Sequence, residues 1–324
     1  MIINTFGTSG LWYTATVLPM PNWVHTRVTK AIYDFLWNGK TEQVKRDTCP
    51  LPFAQSGLPV INPLEKARAL KLWWVPRIGD PTCESKWVYF ARFWIGFALS
   101  RLIQSWSFLR SNSVTKYIGD SPPMYFWHIL TAVAQLYIDI TLLPDYSIKT
   151  FYKKLVYPSP RSLSCTAAWE RRLGHPLPWS ILWPNIYGGL STNWESDIAW
   201  RLAHGIVKTR AYLKRWQRLQ VSDRCAICGQ IESFSHALCE CTLPPAVWAW
   251  IFSITNNLYA NTVGFSPPLV LLKHSLPTGA QHARSNAVTR FLINLALNKI
   301  WATRNLHTLE GKPSTASLVI NKIK

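Results

Sequence analysis

The tightest constraint in this 324-residue chain is a set of four metal-type ligands in one short stretch, Cys225-x2-Cys228-x7-His236-x4-Cys241. Two thiols two residues apart can grip one ion from a single tight turn. An imidazole and a third thiol arriving after a short excursion complete a tetrahedron. Zinc suits such a donor set, and a site whose four positions are all filled by protein leaves no room for an activated water, which makes it structural. Gly229, directly after the second thiol, fits a sharp backbone bend. Cys239 offers His236 a nearer alternative partner, but the gap to Cys241 accommodates about one helical turn, and Cys241 is the preferred fourth ligand. The predicted cofactor is zinc.

The other thiols, Cys49, Cys83 and Cys165, are scattered, which reads as reduced cysteines in a reducing compartment rather than a disulfide framework. Net charge is +19, favouring phosphate backbones or an anionic surface over acidic small substrates. The excess is steepest in 161–220, with nine cations against three carboxylates. Within it, Lys208-Thr209-Arg210 opens a predicted helix running to about Leu219. At about 100° per residue, Tyr212, Leu213, Trp216 and Leu219 fall on one side and Lys208, Arg210, Lys214, Arg215 and Arg218 on the other. Five cations with no carboxylate between them form the predicted nucleic-acid-binding face.

Before that helix, Asp197 to His204 reads as a helix capped by Ser196 or Asn193 and ended by Gly205. His204 lies outside the ligand spacing and is expected to be a core or capping histidine. Trp169, Trp179, Trp183 and Trp194 punctuate the approach. Exposed Trp can serve as base-stacking platforms, but their spacing among aliphatics favours packing.

The remainder is helical in pattern: Trp12 to Trp37 with an interruption at Pro19–Asn22, Pro63 to about Ile78, Trp87 to Trp106, Tyr125 to Leu142 and Ile148 to Leu155. A Pro/Ser break at Pro158–Ser162 marks a boundary. The apolar runs 88–103 and 124–143 contain Arg92, Arg101, His128 and Asp139, so buried helices are expected and no membrane partner. After Trp248, an apolar helix with Ile251, Ile254 and Leu258 is expected to pack on the metal site, followed by a loop near Pro267-Pro268. A last helix, Ala287 to about Asn305, places Phe291, Leu295 and Trp301 inward and Arg290 and Arg304 outward, and the final dozen residues fray. The predicted fold class is mainly α, a helical body with a small CCHC zinc knuckle and little sheet.

Two-metal polymerases and nucleases need clustered carboxylates. The chain has no adjacent Asp pair, Tyr137-Ile138-Asp139-Ile140 offers one acid only, and downstream of Cys241 the only acid is Glu310. No Gly-rich phosphate loop or Ser-His-Asp arrangement is evident. The expectation is a non-enzyme with no catalytic residues and no small-molecule substrate.

Asp197, Trp200, Arg201, Leu202, His204 and Gly205, then Thr209, Arg210 and Leu213, Cys225, Cys228 and Gly229, Glu232 and His236, Cys241, Val247 and Trp248 follow in order. This pattern resembles the reverse-transcriptase zinc-binding domain of LINE-type non-LTR retrotransposons. Phe35-Leu36-Trp37-Asn38-Gly39-Lys40, Lys45, Pro52, Gly57-Leu58-Pro59 and Ala67 to Trp73 resemble the stretch after the polymerase core of the same family. There Ser56 stands where the family's turn has its first Gly, so a different backbone geometry is expected. The resemblance implies Cys225, Cys228, His236 and Cys241 as the ligands. It also implies RNA or DNA as partner in target-primed reverse transcription, with the polymerase part of the same element as a further partner. Localisation is expected to be intracellular, nuclear or cytoplasmic. The implied division is a thumb-like remnant at 1–80, an aromatic-rich helical linker region at 81–190, the zinc-binding domain at 191–262 and a helical tail at 263–324. The alternative is an inert or protein-interaction fragment of a decayed element.

Overall fold

Proline sets the first helix boundaries. In a computed structural model that describes residues 4, 7–103, 106, 108–109, 122–136, 147–157, 163–188, 190–216, 220–256 and 283–324, α1 (Ser9–Val17) and α2 (Asn22–Leu36) flank the Pro19–Asn22 break. The described residues form fourteen α-helices, and the one strand-like pairing among them is an isolated antiparallel bridge, Arg224 to Ile231. The fold is mainly helical, without a sheet. Among the described residues no helix is long and apolar enough to cross a membrane. The features expected at Asp139, Pro158–Ser162, Arg218, Leu258 and Pro267-Pro268 fall outside the described residues.

The chain divides into two compact units, 1–51 with 58–161 and 52–57 with 162–324. The segment 81–190 set apart in the sequence contributes to both.

In the first unit, Asn62 caps α3 (Pro63–Leu72), its Oδ1 accepting the N–H groups of Leu64 and Glu65 at 3.1 and 3.2 Å. Pro63 sits at N1, where its missing N–H costs nothing. The helix expected to reach Ile78 is interrupted, and α4 (Val75–Gly79) resumes after it. Pro76 has no N–H to continue the ladder, and its ring crowds the preceding turn. α5 (Lys86–Leu102) buries Val88, Ala91, Ile95 and Leu99 at three- and four-residue steps. Against it lies α6 (Met124–Leu136), through Ile129, Ala132 and Val133, and Phe151 of α7 (Ile148–Val156), which packs on α3 and α6, joins the same core. Arg92 inside α5 is buried, and its Nε donates to the Ile78 carbonyl at 2.9 Å. A cation within an apolar run is thus satisfied by backbone oxygens of a neighbouring turn.

The second unit contains α8 (Ser164–Leu173), α9 (Trp179–Tyr187), α10 (Asn193–His204), α11 (Arg210–Trp216), α12 (Pro244–Asn256), α13 (Ala283–Glu310) and α14 (Ala316–Asn321). α13 packs along α10 and α12 and buries Ile293, Leu297 and Ile300. Leu295 is buried and Phe291 and Trp301 are partly so, but Arg290 and Arg304, expected to face outward, are 6% and 7% exposed. Helical phase alone cannot show that a buried carboxylate waits opposite Arg304. Nor does the chain fray at its end. Thr315 caps α14 by accepting the Leu318 N–H at 3.3 Å, and Val319 is fully buried. The short Pro52–Gly57 segment belongs to this unit, with the Phe53 ring 4.3 Å from Tyr187.

Candidate metal centre

The metal-type ligands follow two helices whose ends are sharply defined. α10 opens with a capping box: Thr192 Oγ1 accepts the Glu195 N–H at 3.4 Å, and Glu195 Oε2 accepts the Thr192 N–H at 2.8 Å. Thr192, not Ser196 or Asn193, is the cap. Ser196 is fully buried within the helix, and Asn193 is its first residue. Gly205 ends the helix at φ +69°, and the Ile206 N–H reaches back to the Arg201 carbonyl at 2.9 Å. α11 begins at Arg210 rather than Lys208, because Thr209 Oγ1 accepts the Tyr212 N–H at 3.3 Å and so acts as its cap.

The first two thiols sit on a narrow hairpin. Cys225 N–H donates to Gln230 O at 2.6 Å and Glu232 N–H to Asp223 O at 2.8 Å, on either side of the Arg224–Ile231 bridge. Gly229 turns the chain at φ +75°, a left-handed conformation that only glycine adopts without strain. The Ile227 N–H points at Cys225 Sγ, 3.4 Å away.

The other two ligands come from one wide turn. Residues His236–Glu240 form a π-helical turn closed by the Cys241 N–H on the His236 carbonyl at 2.8 Å. That i to i+5 closure brings residues five apart to the same centre. Ser233 Oγ accepts the His236 N–H at 3.0 Å, and Trp248 of α12 donates its indole N–H to Leu238 O at 2.8 Å, fixing the turn from behind.

The Sγ atoms of Cys225, Cys228 and Cys241 and a ring nitrogen of His236 all lie within 4.8 Å of one another. Cys241 Sγ is 3.8 Å from both Cys225 Sγ and Cys228 Sγ, and Cys228 Sγ is 3.1 Å from His236 Nε2. Zinc–sulfur bonds of about 2.3 Å in a tetrahedron space two sulfurs roughly 3.8 Å apart, so the donor set and its size fit zinc. Burial and the neighbouring Cys225 thiol push the Cys241 thiol up to about 12. All four positions being protein atoms, a bound ion would brace the fold rather than activate water. Cys239 is not part of this cluster. It is buried, and burial together with nearby Glu240 pushes its thiol up to about 12.

The predicted cationic face divides. Lys208 and Arg210 line a cleft together with Arg201 and Arg304. Lys214 and Arg215 are exposed on α11. No carboxylate lies among the five predicted cations in sequence, but Asp223, from the hairpin, pairs with Lys214 at 2.9 Å, and that contact holds its carboxyl below the usual range. Such a partner, nine residues away in sequence, is invisible to a helical wheel.

Glu232, which sequence spacing left without a structural role, organises the site, and His204 takes the core role expected of it. Glu232, fully buried, accepts the Arg210 N–H at 2.8 Å through Oε1, and its carbonyl accepts the Ala211 N–H at 3.3 Å, so it satisfies the first N–H groups of α11. Its carboxylate also holds Arg304 through Nε at 3.1 Å and through Nη2. His204 sits between the rings of Trp183 and Trp200, with centroids at 5.1 and 4.4 Å, and donates from Nε2 to Ser56 O at 3.0 Å. It is a core histidine, and burial lowers its pKa to about 4.

No protein-family model matches this chain, and no curated protein matches it significantly.

Proposed function

We propose that this chain is a non-catalytic, zinc-binding nucleic-acid module, the C-terminal part of a LINE-type non-LTR reverse transcriptase, and that it grips RNA or DNA while a separate polymerase portion supplies the chemistry. The observation that carries the reading is the Cys225, Cys228, His236 and Cys241 cluster. It is joined through Glu232 to the start of α11, which bears Arg210, Lys214 and Arg215. A closed four-ligand metal would rigidify that junction and hold the cations in place against a polyanion. The formal charge of +19 supplies long-range attraction for the same partner.

A second reading, a protein-interaction fragment that once packed on a polymerase core, is favoured by the large apolar side chains exposed in the first unit. Trp23, Phe35, Phe90 and Trp127 are each more than half exposed.

The deciding experiment measures affinity of the full chain for a structured RNA and for duplex DNA across a salt series, with and without a zinc chelator. The expected result is affinity that falls steeply with salt and falls again on metal removal. Affinity indifferent to both removes the nucleic-acid reading, and primer extension or nicking with magnesium would remove the non-catalytic one.

A further inference from the structure

The first unit buries a cation, Lys71 of α3, among neutral groups. Lys71 is 3% exposed, and its Nζ donates to the carbonyls of Thr16 at 3.2 Å and Leu18 at 3.0 Å, with the Tyr125 ring centroid 4.2 Å away. Two carbonyl dipoles and a ring are all that face it, and among the described residues no carboxylate pairs with it. One turn earlier the contrast is plain, because Arg68 has Glu65 at 2.6 Å. An ammonium taken out of water with no opposite charge beside it is costly, and burial lowers the pKa of Lys71 to about 8.

That side chain borders empty space. A cavity of about 210 Å³ lies between the turn joining α1 to α2, α3 and α6, and Lys71 lines it together with Arg68, His128, Met20, Leu64 and Trp127. Such a volume is several times the roughly 30 Å³ of a water molecule and below the roughly 300–1,000 Å³ of a drug-sized site. His128 lies in the field of the same two cations, its pKa lowered by burial and then by Lys71 and Arg68. Its imidazole is therefore uncharged at neutral pH. Among the described residues the charges at the cavity are then Lys71 and the Arg68–Glu65 pair, which leave one positive charge. Beside that charge the lining is apolar and aromatic, through Met20, Leu64 and Trp127.

We propose that this cavity binds a small organic monoanion, its carboxylate against Lys71 and Arg68 and its short apolar or aromatic body against Met20, Leu64 and Trp127. A single negative charge neutralises the site, which selects a carboxylate over a phosphate dianion. The apolar lining separates an organic acid from a halide, which has no body to bury there. Ammonium and guanidinium donors meet a carboxylate through charge-assisted hydrogen bonds, the stronger kind. The site belongs wholly to the first unit, whereas the metal cluster and α11 belong to the second, so this proposal and the nucleic-acid reading can fail separately.

The test is equilibrium dialysis of the full chain against labelled benzoate, with benzyl alcohol as its uncharged counterpart and chloride as competitor. The variants are Lys71→Met, which removes the charge and keeps most of the side chain's length, and Thr131→Leu, which adds bulk to the cavity lining from α6. Thermal melting shows that each remains folded. Wild type is expected to hold about one benzoate per chain saturably, and benzyl alcohol at least tenfold more weakly. Each substitution should weaken benzoate by about tenfold or more. Should Lys71→Met fail to fold, Thr131→Leu decides alone, since the Thr131 hydroxyl is solvent-exposed and its loss spares the core. Saturable benzoate binding that survives Thr131→Leu, or benzyl alcohol bound as tightly as benzoate, overturns the proposal. So does the absence of any saturable site up to about 10 mM benzoate. Displacement of benzoate by an equal concentration of chloride would make the cavity a halide site and overturn the organic-acid assignment.

Discussion

Glu232, fully buried at the base of the metal hairpin, grips Arg304 of α13 through both carboxylate oxygens, while one of those oxygens also accepts the backbone N–H of Arg210. Three elements distant in sequence therefore meet on one carboxylate: the hairpin, the start of α11 and the longest described helix. Removing one partner of a buried pair leaves an uncompensated charge, which typically costs about 3–5 kcal/mol. Glu232→Ala is expected to lower the unfolding free energy by that order in urea titrations. Adding Arg304→Met should recover part of the loss, since the stranded charge is then gone. A Glu232→Ala protein within about 0.5 kcal/mol of wild type would show that the pair carries no such weight.

Ser56 adopts φ +76°, ψ −4°, a left-handed conformation costly for any residue with a Cβ. Its carbonyl accepts both the Trp200 indole N–H at 2.9 Å and His204 Nε2 at 3.0 Å, and its own hydroxyl is buried without a partner. The backbone there is held by the groups it receives, not by the preference of serine. Ser56→Gly relieves the steric penalty and removes the unpaired hydroxyl, against a smaller entropic loss, and is expected to stabilise by about 1 kcal/mol. Ser56→Val should destabilise by more than that, through its branched Cβ. Reversal of that order in thermal melting would refute the strain.

What the sequence made legible here was mostly local. The ligand spacing carries its own geometry, because the thiols share one turn and the imidazole and last thiol share another. Gly205 and the Pro19–Asn22 break likewise declare themselves within a few residues. Ser56 illustrates the limit of a substitution read as a change of shape: the turn keeps a glycine-like conformation, and serine bears the strain. The pairings that bind the site together, Glu232 with Arg304 and Lys214 with Asp223, depend on where separate elements meet. Helical phase therefore placed Arg304 in solvent and left Lys214 without a carboxylate. Spacing to aliphatics groups Trp194 with the packing tryptophans, but that spacing is shared by buried and exposed positions, and Trp194 is exposed.

His204 gives the second unit a defined acid sensitivity. Packed between Trp183 and Trp200, it has a pKa lowered by burial from 6.5 to about 4. A histidine depressed in the folded state binds its proton more readily when unfolded, so its contribution is complete above pH 6.5 and lost as pH falls toward about 4. The loss amounts to at most about 3 kcal/mol. His204→Gln keeps a donor for Ser56 O but cannot titrate. The stability difference between wild type and His204→Gln is therefore expected to shrink from pH 7 to pH 4, and stability curves that run parallel over that range would contradict the assignment. Comparing the two proteins cancels the contribution of His25 and His128, whose pKa values are also lowered by burial.

The cluster makes a sharp distinction between two neighbouring thiols. Cys241 Sγ lies 3.8 Å from two other cysteine sulfurs, whereas Cys239, also buried, stands outside the set. Both replacements by serine remove one thiol from the same turn, so a purely structural disturbance would affect them alike. If the four clustered atoms hold zinc, Cys239→Ser retains about one ion per chain, with affinity close to wild type. Cys241→Ser should weaken binding more than the roughly 100-fold that loss of an outer-shell partner can cause. Cobalt substitution separates the two directly, because the thiolate-to-metal absorption reports how many sulfurs touch the ion. That band is expected to drop with Cys241→Ser and to stay with Cys239→Ser. The opposite pattern would place Cys239 in the fourth position and require the π-helical turn to rewind around a three-residue spacing.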